Sequence, residues 1–110
     1  MSEGLQVDPD CLEKVLAILG RLVPSYEVRA FGSRVAETAA KFSDLDLAIM
    51  TEKPMDIGRL AILKEAFKES NLPFKVDVLD WAATGESFRA LIIKSSVLLQ
   101  GGDEAKRVHK

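Results

Sequence analysis

Residues 44–49 read Asp-Leu-Asp-Leu-Ala-Ile, and this alternation constrains the fold more than any other stretch of the chain. Successive side chains of a strand point to opposite faces. Leu45, Leu47 and Ile49 therefore form an apolar face, and Asp44, Asp46 and Ala48 the other. An apolar strand face has to be covered by other elements. Two like charges beside it are costly unless something neutralises them. The stretch predicts a sheet backed by helices, with an acidic patch on one strand.

The flanking sequence supplies the covering elements. Asp8-Pro9 is a helix start, with Asp as N-cap and Pro at the first helical position. Leu12, Val15, Leu16, Leu19 and Leu22 recur at helical spacing, and Pro24 ends the helix, so it spans residues 9–22. Residues 26–31 alternate as a strand, which Gly32-Ser33 breaks. Arg34 and the residues to about 40 carry helix formers, giving a short helix with Ser33 in its first turn. After the acidic strand, Asp56 caps a long helix with the stripe Ile57, Leu60, Leu63 and Phe67. Residues 74–79 form another strand, with Phe74, Val76 and Val78 on one face and Lys75, Asp77 and Leu79 on the other. Asp80 caps a last helix over 81–94, with Phe88, Leu91 and Ile92 inward. Residues 95–100 form a short final strand. The order is α-β-(short α)-β-α-β-α-(β), an α/β layered domain with three or four strands. Periodicity leaves open whether the sheet is parallel or mixed. The organisation is a flexible N-terminus over 1–8, a domain over 9–101 and a flexible tail over 102–110, which includes His109.

Bulk properties exclude several classes. With 110 residues and 47% hydrophobic content, the chain can build one core but not two domains. A net charge of −2 gives no general attraction to nucleic acid or anionic membrane, so no tight nucleic-acid partner is expected. No apolar run reaches the ~20 residues of a membrane span, and no signal peptide is visible. Cys11 stands alone, so no internal disulfide can form, which fits a cytoplasmic location. Cys11 itself reads as a small buried hydrophobe.

The chemistry lies in three pieces. Asp44 and Asp46 share a strand face, and oxygen-only ligands select a hard cation, Mg²⁺ or Mn²⁺. Gly32 lets backbone approach a ligand, and Ser33 offers a hydroxyl and helix N-terminal N–H groups to an anion. Arg34 adds a cation able to hold phosphate. Asp77 is an acid in the middle of an apolar strand. If its strand lies beside the acidic one, three carboxylates can hold two ions roughly 3.5–4 Å apart, the clamp of phosphoryl and nucleotidyl transfer. Asp77 is then placed to accept the proton of an attacking hydroxyl. Asp80 is a rival ligand, but a capping role accounts for it better. Each piece alone also has a plain structural reading: a solvated strand face, a common turn, a surface arginine.

Together, Gly32-Ser33, ten intervening residues and then Asp44-Leu45-Asp46 resemble the signature of the DNA polymerase beta-like nucleotidyltransferase superfamily. The chain is similar in particular to the minimal nucleotidyltransferases (MNT), over about residues 10–101. The resemblance implies a small mixed sheet of three to four strands backed by helices. It implies that Gly32, Ser33 and Arg34 bind nucleotide phosphates, and that Asp44, Asp46 and Asp77 are catalytic and hold two Mg²⁺ ions, with Mn²⁺ as a substitute. It further implies ATP as donor and transfer of AMP to a HEPN-domain toxin encoded nearby, the chain acting as its antitoxin and able to assemble into homo- or hetero-oligomers. The alternative is a catalytically weak or inactive antitoxin or nucleotide-binding subunit that acts by complex formation. One departure supports it: relatives often read Gly-Ser-Arg-Ala-Arg-Gly, whereas here Ala36 and Glu37 replace the second arginine and glycine. Losing a charge-assisted phosphate contact costs ~1–3 kcal/mol.

Overall fold

The computed structural model describes residues 5–32, 34–35 and 44–102. The elements are α1 (Pro9–Leu22), β1 (Glu27–Phe31), β2 (Leu45–Met50), α2 (Ile57–Lys68), β3 (Val76–Asp80), α3 (Glu86–Lys94) and β4 (Ser96–Gln100). A single 3₁₀ turn, Trp81–Ala83, links β3 to α3. The short helix expected after Ser33 lies largely outside the described residues. Its first residues, Arg34 and Val35, form a turn in which the Val35 N–H donates to the Gly32 carbonyl at 3.0 Å.

Four strands form one sheet in the order β3-β2-β1-β4. β1 runs antiparallel to β2 and to β4, while β2 and β3 are parallel, so the sheet is mixed. A parallel neighbour needs a crossover, and α2 provides it. Asp8 occupies the N-cap of α1 without a side-chain capping bond, and Pro9 opens the helix. At α2 the Asp56 carboxylate accepts from the Arg59 N–H at 3.0 Å.

One sheet face carries the main core. Val28, Ala30, Leu45, Leu47, Ile49 and Val78 pack there against Val15 and Leu19 of α1 and Leu63 and Phe67 of α2. Among the described residues, the other face is covered by a small cluster of Phe31, Ala48 and Ile92, with Met50, Leu79 and Trp81 around it. Three inward assignments fail here. Ile57 of α2 is 84% exposed, and on α3 Phe88 and Leu91 are 54% and 58% exposed. Of the three α3 positions assigned inward, Ile92 alone is buried, at 1% exposure.

The ends of the domain also differ from the sequence reading. Leu5 and Val7, placed in the flexible N-terminus, pack against the main core. The Gln6 N–H donates to the Arg34 carbonyl at 2.7 Å, tying this segment to the turn after β1. Gly102, assigned to the tail, is buried, and a Cβ there would lie 2.6 Å from the Glu27 nitrogen and 2.9 Å from the Ser25 oxygen. Backbone cannot give way as a side chain does. Gly102→Ala is expected to destabilise the domain by about 1–3 kcal/mol, read as a lower urea midpoint at unchanged slope. The rest of the tail, with His109, lies outside the described residues.

Asp80 anchors the end of β3. Its carboxylate is 8% exposed and accepts from the Met55 N–H at 2.7 Å, the Thr51 hydroxyl and the Ala82 N–H at 3.3 Å. It therefore caps the 3₁₀ turn and not the last helix expected over 81–94, which begins only at Glu86 with Gly85 as its N-cap.

Candidate active site

The site grows out of the sheet register. Phe31 of β1 pairs with Asp46 of β2, and Asp46 pairs with Asp77 of β3. Both acids lie on the sparsely covered sheet face. Asp44 immediately precedes β2 and is exposed. Strand alternation places it on the same side as Asp46.

Gly32 follows Phe31 directly and brings the turn onto Asp46. Its φ is +87°, in the region that favours glycine. A Cβ on Gly32 would collide with Asp46 Oδ2 and sit 3.3 Å from Asp46 Cγ. The backbone angle requires the glycine, and a Cβ there would push the Asp46 carboxylate aside. Gly32→Ala is expected to cost about 1–3 kcal/mol in stability and to displace the Asp46 carboxylate. Paired melting curves and nucleotide titrations read the two effects. Ser33, Ala36 and Glu37 lie outside the described residues.

The electrostatics of Asp46 follow from this crowding. Burial, then the Asp77 charge, then the Asp44 charge raise its pKa above the ordinary value of 3.8. The neighbouring Asp77 is met by Lys75, whose Nζ lies 3.7 Å from Asp77 Oδ1 with both side chains well exposed. Such a pair is weak. Excess negative charge on oxygen-only ligands is the environment that a hard divalent ion relieves. Among the described residues, no three such side chains converge into a ready-made metal cage. Asp46 and Asp77 form an open pair, and Asp44 adds its charge from the strand's start. The chemistry of the donor set, carboxylate oxygens alone, fits Mg²⁺ or Mn²⁺.

Arg34 is placed differently from a surface cation. It is 6% exposed, its Nη1 donates to the Gln6 carbonyl at 2.6 Å, and its guanidinium carbon lies 4.2 Å from the centre of the Phe74 ring. The charge is held beneath the turn. Sequence reasoning also missed the cleft beside β3. This cleft, of about 970 Å³, is lined by Asp46 and Asp77 together with Lys64, Lys68, Lys75 and Phe88. A signal for it was present: Lys64 and Lys68 are like charges at i, i+4 on one helix face, an arrangement that helices disfavour.

The sequence matches the family described as "Polymerase beta, Nucleotidyltransferase" over residues 24–105. The chain belongs to that nucleotidyltransferase family. Within it, the chain is 51% identical to the probable protein adenylyltransferase MntA of Haemophilus influenzae over 106 residues, 96% of this chain and 91% of the relative. Its fold resembles that of a toxin–antitoxin crystal structure with AMP-PNP, at TM-score 0.70 and 20% identity, covering 88% of this chain and 78% of the other. A second fold match contains the tri-AMPylated HEPN toxin of Shewanella oneidensis in complex with an MNT antitoxin. That match has TM-score 0.62 and 17% identity, over 88% of this chain and 75% of the other.

Proposed function

We propose that this chain transfers AMP from ATP, with Mg²⁺ bound, to a hydroxyl of a HEPN-domain partner protein and thereby acts as that protein's antitoxin. The observation that carries the reading is the pairing of Asp46 with Asp77 on adjacent strands, with the Gly32 turn set against the Asp46 carboxylate. The 51% identity to a probable protein adenylyltransferase supports the donor and the protein acceptor. A cytoplasmic site of action follows from the substrates. No helix among the described residues is long and apolar enough to cross a membrane.

In this reading the backbone of Gly32 and Ser33 holds the phosphates. Arg34 acts from below, through Gln6, by fixing the turn's position. Asp44 and Asp46 hold the cation, and Asp77 completes the set. A cation held there would neutralise the triphosphate and lower the pKa of the acceptor hydroxyl. The acceptor oxygen attacks the α-phosphorus, and the bond from that phosphorus to the α–β bridging oxygen breaks. Asp77 takes the hydroxyl proton, and pyrophosphate leaves with the bond's electron pair. The products are an AMP-modified protein and pyrophosphate.

A second reading, neutralisation by complex formation alone, has its own support in the exposed Phe88 and Leu91 of α3. Exposed apolar side chains grouped on one helix suit a partner surface. Co-expression with the HEPN protein separates the two. If transfer is the activity, the Asp44→Asn/Asp46→Asn chain fails to protect cells from the toxin. Full protection by that variant, with unmodified toxin, supports complex formation instead. A simpler companion measurement is the melting temperature with Mg²⁺ and a non-hydrolysable ATP analogue, which rises by mass action when the site binds.

A further inference from the structure

β3 is an edge strand. It pairs with β2 alone, and its outer side is open among the described residues. An open strand edge is a template for another extended segment. Here it runs directly beside Asp77, one of the paired acids. The cleft along it carries Lys64 and Lys68 from α2 and Lys75 from the strand's start. Side chains on the two sides of this edge differ in character. Asp77 and Leu79 face the sparsely covered sheet face. Val76 and Val78 face the side where α2 packs, with Lys64 and Lys68 alongside.

We propose that the outer edge of β3 is the docking strand for the acceptor: an extended acidic segment of the partner protein adds beside β3, with its hydroxyl-bearing residue opposite Asp77 and acids at the two adjoining positions facing Lys64 and Lys68. The inference rests on the transfer reading above. Its geometry follows from strand pairing. Neighbouring strands lie about 4.8 Å apart, and directly opposed side chains have Cβ atoms about 4.5–5.5 Å apart. A residue opposite Asp77 therefore presents its side chain beside that carboxylate, two strand spacings from Asp46. Its immediate neighbours point the other way, toward α2. Those neighbours meet two exposed lysines one helical turn apart, so acids there gain two ion pairs. The same lysines disfavour a second copy of this chain on the edge, because pairing β3 with β3 would bring like charges together.

Fluorescein-labelled ten-residue peptides test this. Each carries one central tyrosine flanked directly by glutamate, by serine or by lysine. Anisotropy with the full chain, in the absence of nucleotide, measures docking. The glutamate peptide is expected to bind about tenfold more tightly than the serine peptide. Lys64→Glu/Lys68→Glu should abolish that preference and transfer it to the lysine peptide. Methylating alternate backbone nitrogens of the glutamate peptide should remove binding, because strand addition needs those N–H donors. Equal binding of all three peptides overturns the proposal. So does an unchanged preference in the double variant, full binding of the methylated peptide, or a double variant that loses the ATP analogue and keeps the glutamate peptide. A chain that light scattering shows to be a dimer, and that the peptide does not dissociate, overturns it as well. AMP incorporation into the same peptides is scored separately. Docking with the expected preference but no transfer rejects the transfer reading alone, while transfer with no acid preference rejects the docking strand alone.

Discussion

Replacing Asp46 with Asn is expected to lower nucleotidyl transfer on the order of 10³-fold and, without divalent cation, to raise the melting temperature. The two effects have one cause. Asp46 is held between Gly32 and Asp77, and burial, Asp77 and Asp44 together raise its pKa above 3.8. The folded protein thus binds this proton more tightly than the unfolded chain does. Stability from that proton is present at low pH and is lost as pH rises through the folded-state pKa. At neutral pH the charged carboxylate is a burden that Asn lacks. The stability gap between Asp46→Asn and wild type should therefore be full at pH 7. It should close as pH falls toward 3.8, the ordinary value. Adding Mg²⁺ should narrow it at pH 7 by stabilising only the wild type. Melting curves at several pH values, with and without Mg²⁺, check each of these statements. A site that trades stability for charge is common where chemistry is done.

Asp80→Ala is the second large effect, and it falls on stability. Truncation leaves the Met55 N–H, the Thr51 hydroxyl and the Ala82 N–H without this carboxylate. Thr51 is itself 5% exposed, and its oxygen also accepts from the Ala82 N–H at 3.0 Å, so the network is shared. Removing one member of a buried network of this kind costs about 3 kcal/mol. In a domain of this size that is a fall of roughly 10–15 °C in melting temperature. Asp80→Asn keeps one acceptor oxygen and should lose less. Transfer per folded molecule should persist in both variants, because Asp80 caps the turn and holds the loop before α2. A loss of transfer in the still-folded Asn variant would move Asp80 into the reaction.

Much of the layout was legible in the residues. The alternation of Leu45, Leu47 and Ile49 with Asp44 and Asp46 placed β2, and Asp56 marked the start of α2. Local pattern suffices where each residue's environment is set by its own element. It failed where the environment is set by distant elements. Phe88 and Leu91 have helical spacing, but spacing does not reveal which apolar positions of a helix meet the sheet, and both are exposed. Arg34 reads as a phosphate-binding cation, and its burial against the Gln6 carbonyl and the Phe74 ring, both far along the chain, had no local signal. The meeting of Asp46 and Asp77 required β2 and β3 to be neighbours, which the sequence posed only as a condition. Their direct pairing follows from the parallel crossover through α2. Thr51 as the partner of Asp80 had no local signal at all.

Intact-mass spectrometry of the HEPN partner tests the central claim most directly. The partner is incubated with ATP, Mg²⁺ and either the wild-type chain or Asp46→Asn. The wild type is expected to add whole AMP units to the partner, and Asp46→Asn to leave its mass unchanged. Equal AMP addition by both chains, or none by the wild type, would contradict the account.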